Sequence, residues 1–143
     1  MSVNRQLLDV YVARYNAGDL DGVIDLYGED AVQNMPDGTF VGRSAIRDRL
    51  AQELNAFSEV NHTVRSFVEQ GDAFCDEWTF AGTHTAPLTL PDGRELAPTG
   101  IQVEIRGMEY CLMRDGKLAV NTLYYDNVAV AAQLGLLPEL AIA

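Results

Sequence analysis

The sequence predicts an α+β protein, and two observations carry that reading. Apolar residues recur at helical spacing through the first third of the chain. Long alternating segments punctuated by turn residues follow, so helices come first and antiparallel strands later. The simplest architecture is a curved antiparallel sheet with three N-terminal helices packed on its concave face.

Leu7, Leu8, Tyr11, Val12 and Tyr15 lie at helical spacing and define a first helix ending near Gly18. Asp19 is placed to cap a second helix carrying Val23, Ile24, Leu26 and Tyr27. A short extended piece, Ala31 to Asn34, runs into Pro36 and the Asp37-Gly38 turn. Ser44 is expected to cap a third helix with Ile46, Leu50, Leu54 and Phe57 on one side. His62 to Glu69, the Gly71-Asp72 turn and Ala73 to His84 form one hairpin, and a loop with Pro87, Pro91 and Pro98 follows. Gln102 to Met113, the Asp115-Gly116 turn and Leu118 to Tyr125 form a second hairpin. Asp126 caps a short last helix through Ala131, Ala132 and Leu134, stopped by Gly135 and Pro138.

Composition narrows the function. The 143 residues are read as one domain over 1–143, with 48% apolar and 22% charged residues. A net charge of -11, from 21 acids against 10 bases, argues against nucleic acid and anionic membrane surfaces as partners. There is no apolar run of transmembrane length, and the N-terminus is interrupted by charges, unlike a signal peptide. Cys75 and Cys111 fall inside predicted strands and read as reduced thiols of a cytoplasmic protein. His62 and His84 are too few and too separated for a metal site. Absence of a phosphate loop, a dinucleotide fingerprint or a nucleophile–base pair leads to the expectation of no cofactor.

One strand raises a question. In the stretch from Gly107 to Met113, alternation puts Gly107, Glu109, Cys111 and Met113 on one face, with Glu109 the sole acid between two apolar faces. Glu109 is either an acid satisfied at a sheet edge, paired with Arg106 or Arg65, or a pocket acid whose pKa burial raises. His84 ends a strand in which Trp78, Phe80 and Gly82 share its face. It is either bonded to backbone at a loop end or a general base at a pocket mouth.

Several motifs occur together in order. They are Trp78-Thr79-Phe80-Ala81-Gly82-Thr83-His84-Thr85-Ala86-Pro87, Pro98-Thr99-Gly100, Arg106-Gly107-Met108-Glu109, Asp115-Gly116-Lys117 and Gln133-Leu134-Gly135-Leu136-Leu137-Pro138. Near the N-terminus stand Asn16-Ala17-Gly18-Asp19-Leu20-Asp21 and Gly42-Arg43-Ser44-Ala45-Ile46. Together they resemble the SnoaL-like polyketide cyclases of the nuclear-transport-factor-2-like superfamily across nearly the whole chain. The resemblance implies a cone-shaped sheet enclosing an apolar pocket, used elsewhere for cyclisation, isomerisation, epoxide hydrolysis or plain binding.

The resemblance also implies roles. Glu109 matches the strand position where ketosteroid isomerases place an acid against the substrate oxygen, and Tyr11 their oxyanion-binding tyrosine. Asn34 matches a water-holding asparagine of limonene-epoxide hydrolases. One departure matters: the aspartate usual on the last strand of such cyclases is here Leu123, which transfers no proton.

The register of the last hairpin stays open. A two-residue turn sets Thr122 beside Glu109, whereas a three-residue loop with a glycine bulge sets Asn121 there and aims Leu123 and Tyr125 the same way. The resemblance favours the second. The expectation is therefore a cofactor-independent cyclase or isomerase for an apolar, polycyclic, enolisable carbonyl compound. Glu109 and His84 would be its catalytic groups, and Tyr11, Asn34, Trp78, Asn121, Leu123 and Tyr125 its substrate contacts. A non-catalytic binding protein and an epoxide hydrolase are the alternatives, and a homodimer through the outer sheet face is expected.

Overall fold

The computed structural model describes residues 1–137; Pro138, expected to stop the last helix, lies outside them. Three helices precede most of the sheet: α1 (Val3–Asn16), α2 (Leu20–Ile24) and α3 (Arg43–Ala56). Ser2 caps α1 by accepting from the Arg5 N–H at 3.1 Å, and Asp19 caps α2 by accepting from Gly22 N–H at 3.0 Å. Helix α3 begins after Gly42, so Ser44 lies inside it rather than capping it. Gly42 takes φ 85° there, a conformation glycine adopts without strain.

The strands are β1 (Tyr27–Met35), β2 (Gly38–Val41), β3 (Phe57–Gln70), β4 (Ala73–His84), β7 (Gln102–Arg114) and β8 (Lys117–Tyr125). Two short strands, β5 (Leu88–Thr89) and β6 (Glu95–Leu96), pair within the proline-rich loop, and α4 (Asn127–Gln133) follows β8. Tyr27 and Phe57, read from sequence as helical, instead open β1 and β3.

The six long strands run in the order β2-β1-β8-β7-β4-β3 and form the curved sheet expected from the sequence. The seam between β1 and β8 is parallel, which makes the sheet mixed rather than wholly antiparallel. Bends come from irregularities: β3 slips between Ser58 and Asn61, with Glu59 at φ 53°, and again between Val64 and Ser66.

The core fills the concave side. Leu7, Leu8 and Tyr11 of α1 and Ile46 and Leu50 of α3 are buried against Phe74, Trp78 and Phe80 of β4. Gly107 of β7 makes room for one of these: a Cβ there would lie 2.4 Å from Trp78 Cζ2. Trp78 is also held by His62 at 5.3 Å and Tyr125 at 5.9 Å between ring centroids. Gly107→Ala is therefore expected to cost about 1–3 kcal/mol by overpacking. Urea unfolding measures this, and an unchanged midpoint would mean Trp78 is free to move.

Candidate active site

Between the concave sheet face and helices α1 and α3 lies a cavity of about 310 Å³, at the small end of the range for ligand pockets. Phe57, Trp78, Phe80, Ile105 and Leu123 give it an apolar wall. Val130 and Ala131 of α4 line it too, as does the Leu88–Pro91 segment. Beside Ile105, β7 brings a carboxyl into this space: Glu109, only 6% exposed.

The register of β7 on β8 determines what surrounds Glu109. Asp115 and Gly116 form a two-residue turn, both at positive φ, closed by the Arg114–Lys117 pair. A bulge then skips Ala119, so Leu123 sits directly opposite Glu109 and Asn121 opposite Cys111. Asn121, Leu123 and Tyr125 share the Glu109 face and Thr122 points away. The facing is that of the second register read from sequence. It arises from a two-residue turn with a bulge beyond it, rather than from a three-residue loop, and Leu123 rather than Asn121 is the direct partner.

Asn121 Nδ2 donates to Glu109 Oε2 at 2.5 Å and to Cys111 Sγ at 3.3 Å. Its Oδ1 accepts from the Tyr27 hydroxyl and from Gln33 Nε2, each at 3.1 Å. Tyr27 oxygen accepts in turn from Gln33 Nε2 at 3.2 Å and lies 3.2 Å from the Tyr11 hydroxyl. With the Tyr27 proton committed to Asn121, Tyr11 donates to Tyr27. Burial, with the charge of Glu109 adding to it for Tyr11, raises both phenols, so each stays a neutral donor. Three elements, α1, β1 and β8, thus converge behind one carboxyl.

A second carboxyl lies behind the first. Asp76 of β4 is directly opposite Glu109 across the β4–β7 ladder and 1% exposed. Among the described residues no N–H or O–H reaches either of its oxygens, and the group paired with it across the ladder is the Glu109 carboxyl. A hydrogen bond between two carboxyls requires one of them to keep a proton. Burial, the Glu109 charge and this hydrogen bond push Asp76 up to about 9. Glu109 is raised too, chiefly by burial, against the opposing hydrogen bonds from Asp76, Asn121 and Cys111. The two differ in their surroundings: Asn121 donates to Glu109, and among the described residues no N–H reaches Asp76.

The other polar wall is formed by Arg49, whose Nε lies 3.3 Å from Asp37 and whose Nη1 lies 3.5 Å from Glu53. Tyr15 donates to Glu53, and Arg49 Nη2 reaches the Tyr125 hydroxyl at 3.4 Å. His62 also lines the cavity, its Nε2 buried without a partner, and burial lowers its pKa to about 4. Unfolded, the imidazole binds a proton below its ordinary 6.5, whereas the folded one does so only near 4. Stability from this group is therefore lost as pH falls through that window, by about 3 kcal/mol. His62→Phe keeps the ring packing and the backbone bonds to Asn16, and is expected to remove that acid-side loss. Urea titrations at pH 4.5 and 7 measure it; equal acid sensitivity in both proteins would contradict it.

Of the residues singled out from sequence, Tyr11, Trp78, Glu109, Leu123 and Tyr125 line the cavity, and Asn121 buttresses Glu109 from beneath. Two do not reach it. His84 is fully buried at the end of β4, where its Nδ1 accepts from the Thr99 N–H at 3.2 Å and fastens the 98–101 loop. Asn34 faces the opposite side of β1, where it bonds Thr122 Oγ1 and Thr39 Oγ1, each at 3.0 Å. Its neighbours Gln33 and Met35 face inward instead. Sequence reading passed over Asp76, although the alternation that placed Trp78 and Phe80 inward places Asp76 on the same face.

The site is that of a small cone-fold protein that encloses an apolar cavity around a buried acid. More specifically, the chain belongs to the SnoaL-like polyketide cyclase family, whose profile matches residues 5–134. Among solved structures it is similar to AclR of Streptomyces galilaeus, a proposed hydroxylase, with 25% identity and a TM-score of 0.80 over 94% of this chain and 96% of that one. It is also similar to IdmH of Streptomyces antibioticus, a proposed polyketide cyclase, with 26% identity and a TM-score of 0.76 over 92% and 97%. TsrD of Streptomyces laurentii shares the fold at 21% identity, with a TM-score of 0.81 over 94% and 96%. No curated protein matches the chain.

Proposed function

We propose that the protein is a cofactor-independent cyclase or isomerase for an apolar, polycyclic, enolisable carbonyl compound, with Glu109 as its catalytic acid/base. The observation that carries this reading is a buried carboxyl, Glu109, in the cavity wall and held by the Asn121 amide, whereas the other two carboxyls of the lining, Asp37 and Glu53, are paired with Arg49. Such a group takes a proton from carbon next to a carbonyl and returns it elsewhere on the same molecule. Tyr11, which lines the same cavity, supplies a neutral hydroxyl, and rotation of the Tyr27 proton toward Tyr11 would free the Tyr11 proton for an enolate oxygen. Gln33 keeps Asn121 Oδ1 satisfied in either state.

A panel of polycyclic ketones and β-ketoesters, scored by thermal shift and recovered for mass and NMR analysis, tests the reading. A ligand that stabilises the protein and returns rearranged supports it. A ligand returned unchanged favours the second reading, a binding protein, for which Leu123 in place of the family's usual aspartate is the motive. Epoxide hydrolysis gains nothing from Asn34, which faces away from the cavity.

On the outer sheet face Met108, Tyr110 and Tyr124 stay 50%, 40% and 68% exposed. A second copy of the chain is proposed to cover them. Sedimentation equilibrium at micromolar concentration should then give twice the 15.7 kDa chain mass, and the chain mass alone would contradict it.

A further inference from the structure

Asp76 has no place in the family-based reading, yet it is sealed more completely than Glu109 itself. It does not line the cavity, so it is no catalytic residue. We infer that Asp76 is a positioning residue: it keeps a proton and donates it in a hydrogen bond to Glu109, holding Glu109 as an ionised base in an apolar wall. The inference rests on the reading of Glu109 as the acid/base and adds the group that sets its protonation.

The geometry argues it in three steps. The pair is directly opposed across β4 and β7, so neither side chain is able to turn away from the other without leaving the inner face. Neither Asp76 oxygen has another donor, so an ionised Asp76 would be a buried charge with nothing to satisfy it beside a second charge. Glu109, by contrast, keeps the Asn121 amide whether or not Asp76 donates. The resting state is thus one proton and one charge shared by two carboxyls, with the charge on the cavity side.

The neighbours leave this assignment undisturbed. From β7, the Cys111 thiol is pushed up by burial and stays neutral. Tyr11 from α1 and Tyr27 from β1 stay neutral as well. Among the described residues Arg5 of α1 is the cation that acts on Asp76; it is engaged with Asp9 at 3.0 Å and packs over the Phe67 ring.

A probe that needs only a base tests the pair without the natural substrate. In 5-nitrobenzisoxazole the base removes the C3 proton, the C–H electrons form the nitrile, the N–O bond breaks and the phenolate oxygen keeps that pair. No oxidant or second reactant enters. The wild type is expected to turn it over with a rate that falls as Glu109 is protonated at low pH. Asp76→Leu removes the donor, so the acid limb of kcat/KM should move up by about one pH unit, a tenfold loss at a fixed pH below it. Asp76→Asn restores a donor and should return the limb to the wild-type position with KM unchanged, which a merely structural role would not do.

The infrared C=O band of a protonated carboxyl is the reaction-independent measure. It should be present in the wild type at pH 7 and absent from Asp76→Asn. An absent band in the wild type overturns the inference, as does an acid limb that neither substitution moves. If Glu109→Gln retains full turnover, the base reading of Glu109 fails instead, whatever the infrared band shows. If the probe is not turned over at all, that reading fails too, and the band alone decides whether Asp76 holds the proton.

Discussion

Glu109→Gln is expected to lower kcat on an enolisable substrate by about 10²–10⁴-fold, the span contributed by a positioned acid or base. KM should change little, because Gln keeps the size and shape that Glu109 presents to the cavity. The fold should survive as well. A glutamine oxygen accepts from Asn121 Nδ2 as the carboxylate does, and also from a protonated Asp76. Removing a buried charge relieves desolvation, so the unfolding free energy should stay within about 1 kcal/mol or rise. Steady-state kinetics with parallel urea unfolding separates these effects. Full turnover by the variant would transfer the chemistry to another group.

Leu123→Asp carries the largest expected effect on stability. The substitution places the aspartate usual in related cyclases where this chain has leucine, directly opposite Glu109. Here, however, Glu109 and Asp76 already place two buried carboxyls opposite each other in the ladder. A third carboxyl in the same ladder gains no free cation from the cavity wall, where Arg49 is committed to Asp37 and Glu53. The cost at pH 8 is expected to be on the order of 3–5 kcal/mol. The new group would have its pKa raised on folding, so the folded state binds more protons and the penalty should shrink as pH falls toward 5. Urea unfolding at both pH values checks the sign. A variant as stable as wild type at pH 8 would place residue 123 away from Glu109.

These two substitutions probe a site that was only partly legible in the sequence. Period-two alternation carried most of it: it aimed Glu109, Trp78, Phe80 and Gly107 at one face, and the sheet obeys it. What alternation cannot convey is depth. His84 does face inward, but it lies at the end of β4 where the 98–101 loop covers it, through His84 N–H to Ile101 O at 2.9 Å. Nothing in the repeat reveals that the cavity stops short of it.

Parity errors come from strand starts and bulges. Asn34 was matched by resemblance to a pocket residue, yet β1 turns Gln33 and Met35 inward and Asn34 out. The bulge at Ala119 has no local signature, since the turn before it is an ordinary two-residue one. It is fixed by the larger gain of placing Asn121 against Glu109 and Leu123 against the cavity. Asp76 was legible and went unread: an acid on the Trp78 face of β4 raises the same question as Glu109 on β7, and the two are answers to each other.

The central claim is that Glu109 removes a proton from carbon beside a carbonyl held in the cavity. Proton NMR of 2-tetralone in D2O with catalytic amounts of protein tests it most directly. Wild type should replace the α-protons with deuterium well above the buffer rate, and Glu109→Gln should fall to the buffer rate. Exchange no faster than buffer with wild type, or equal exchange by the two proteins, would contradict it.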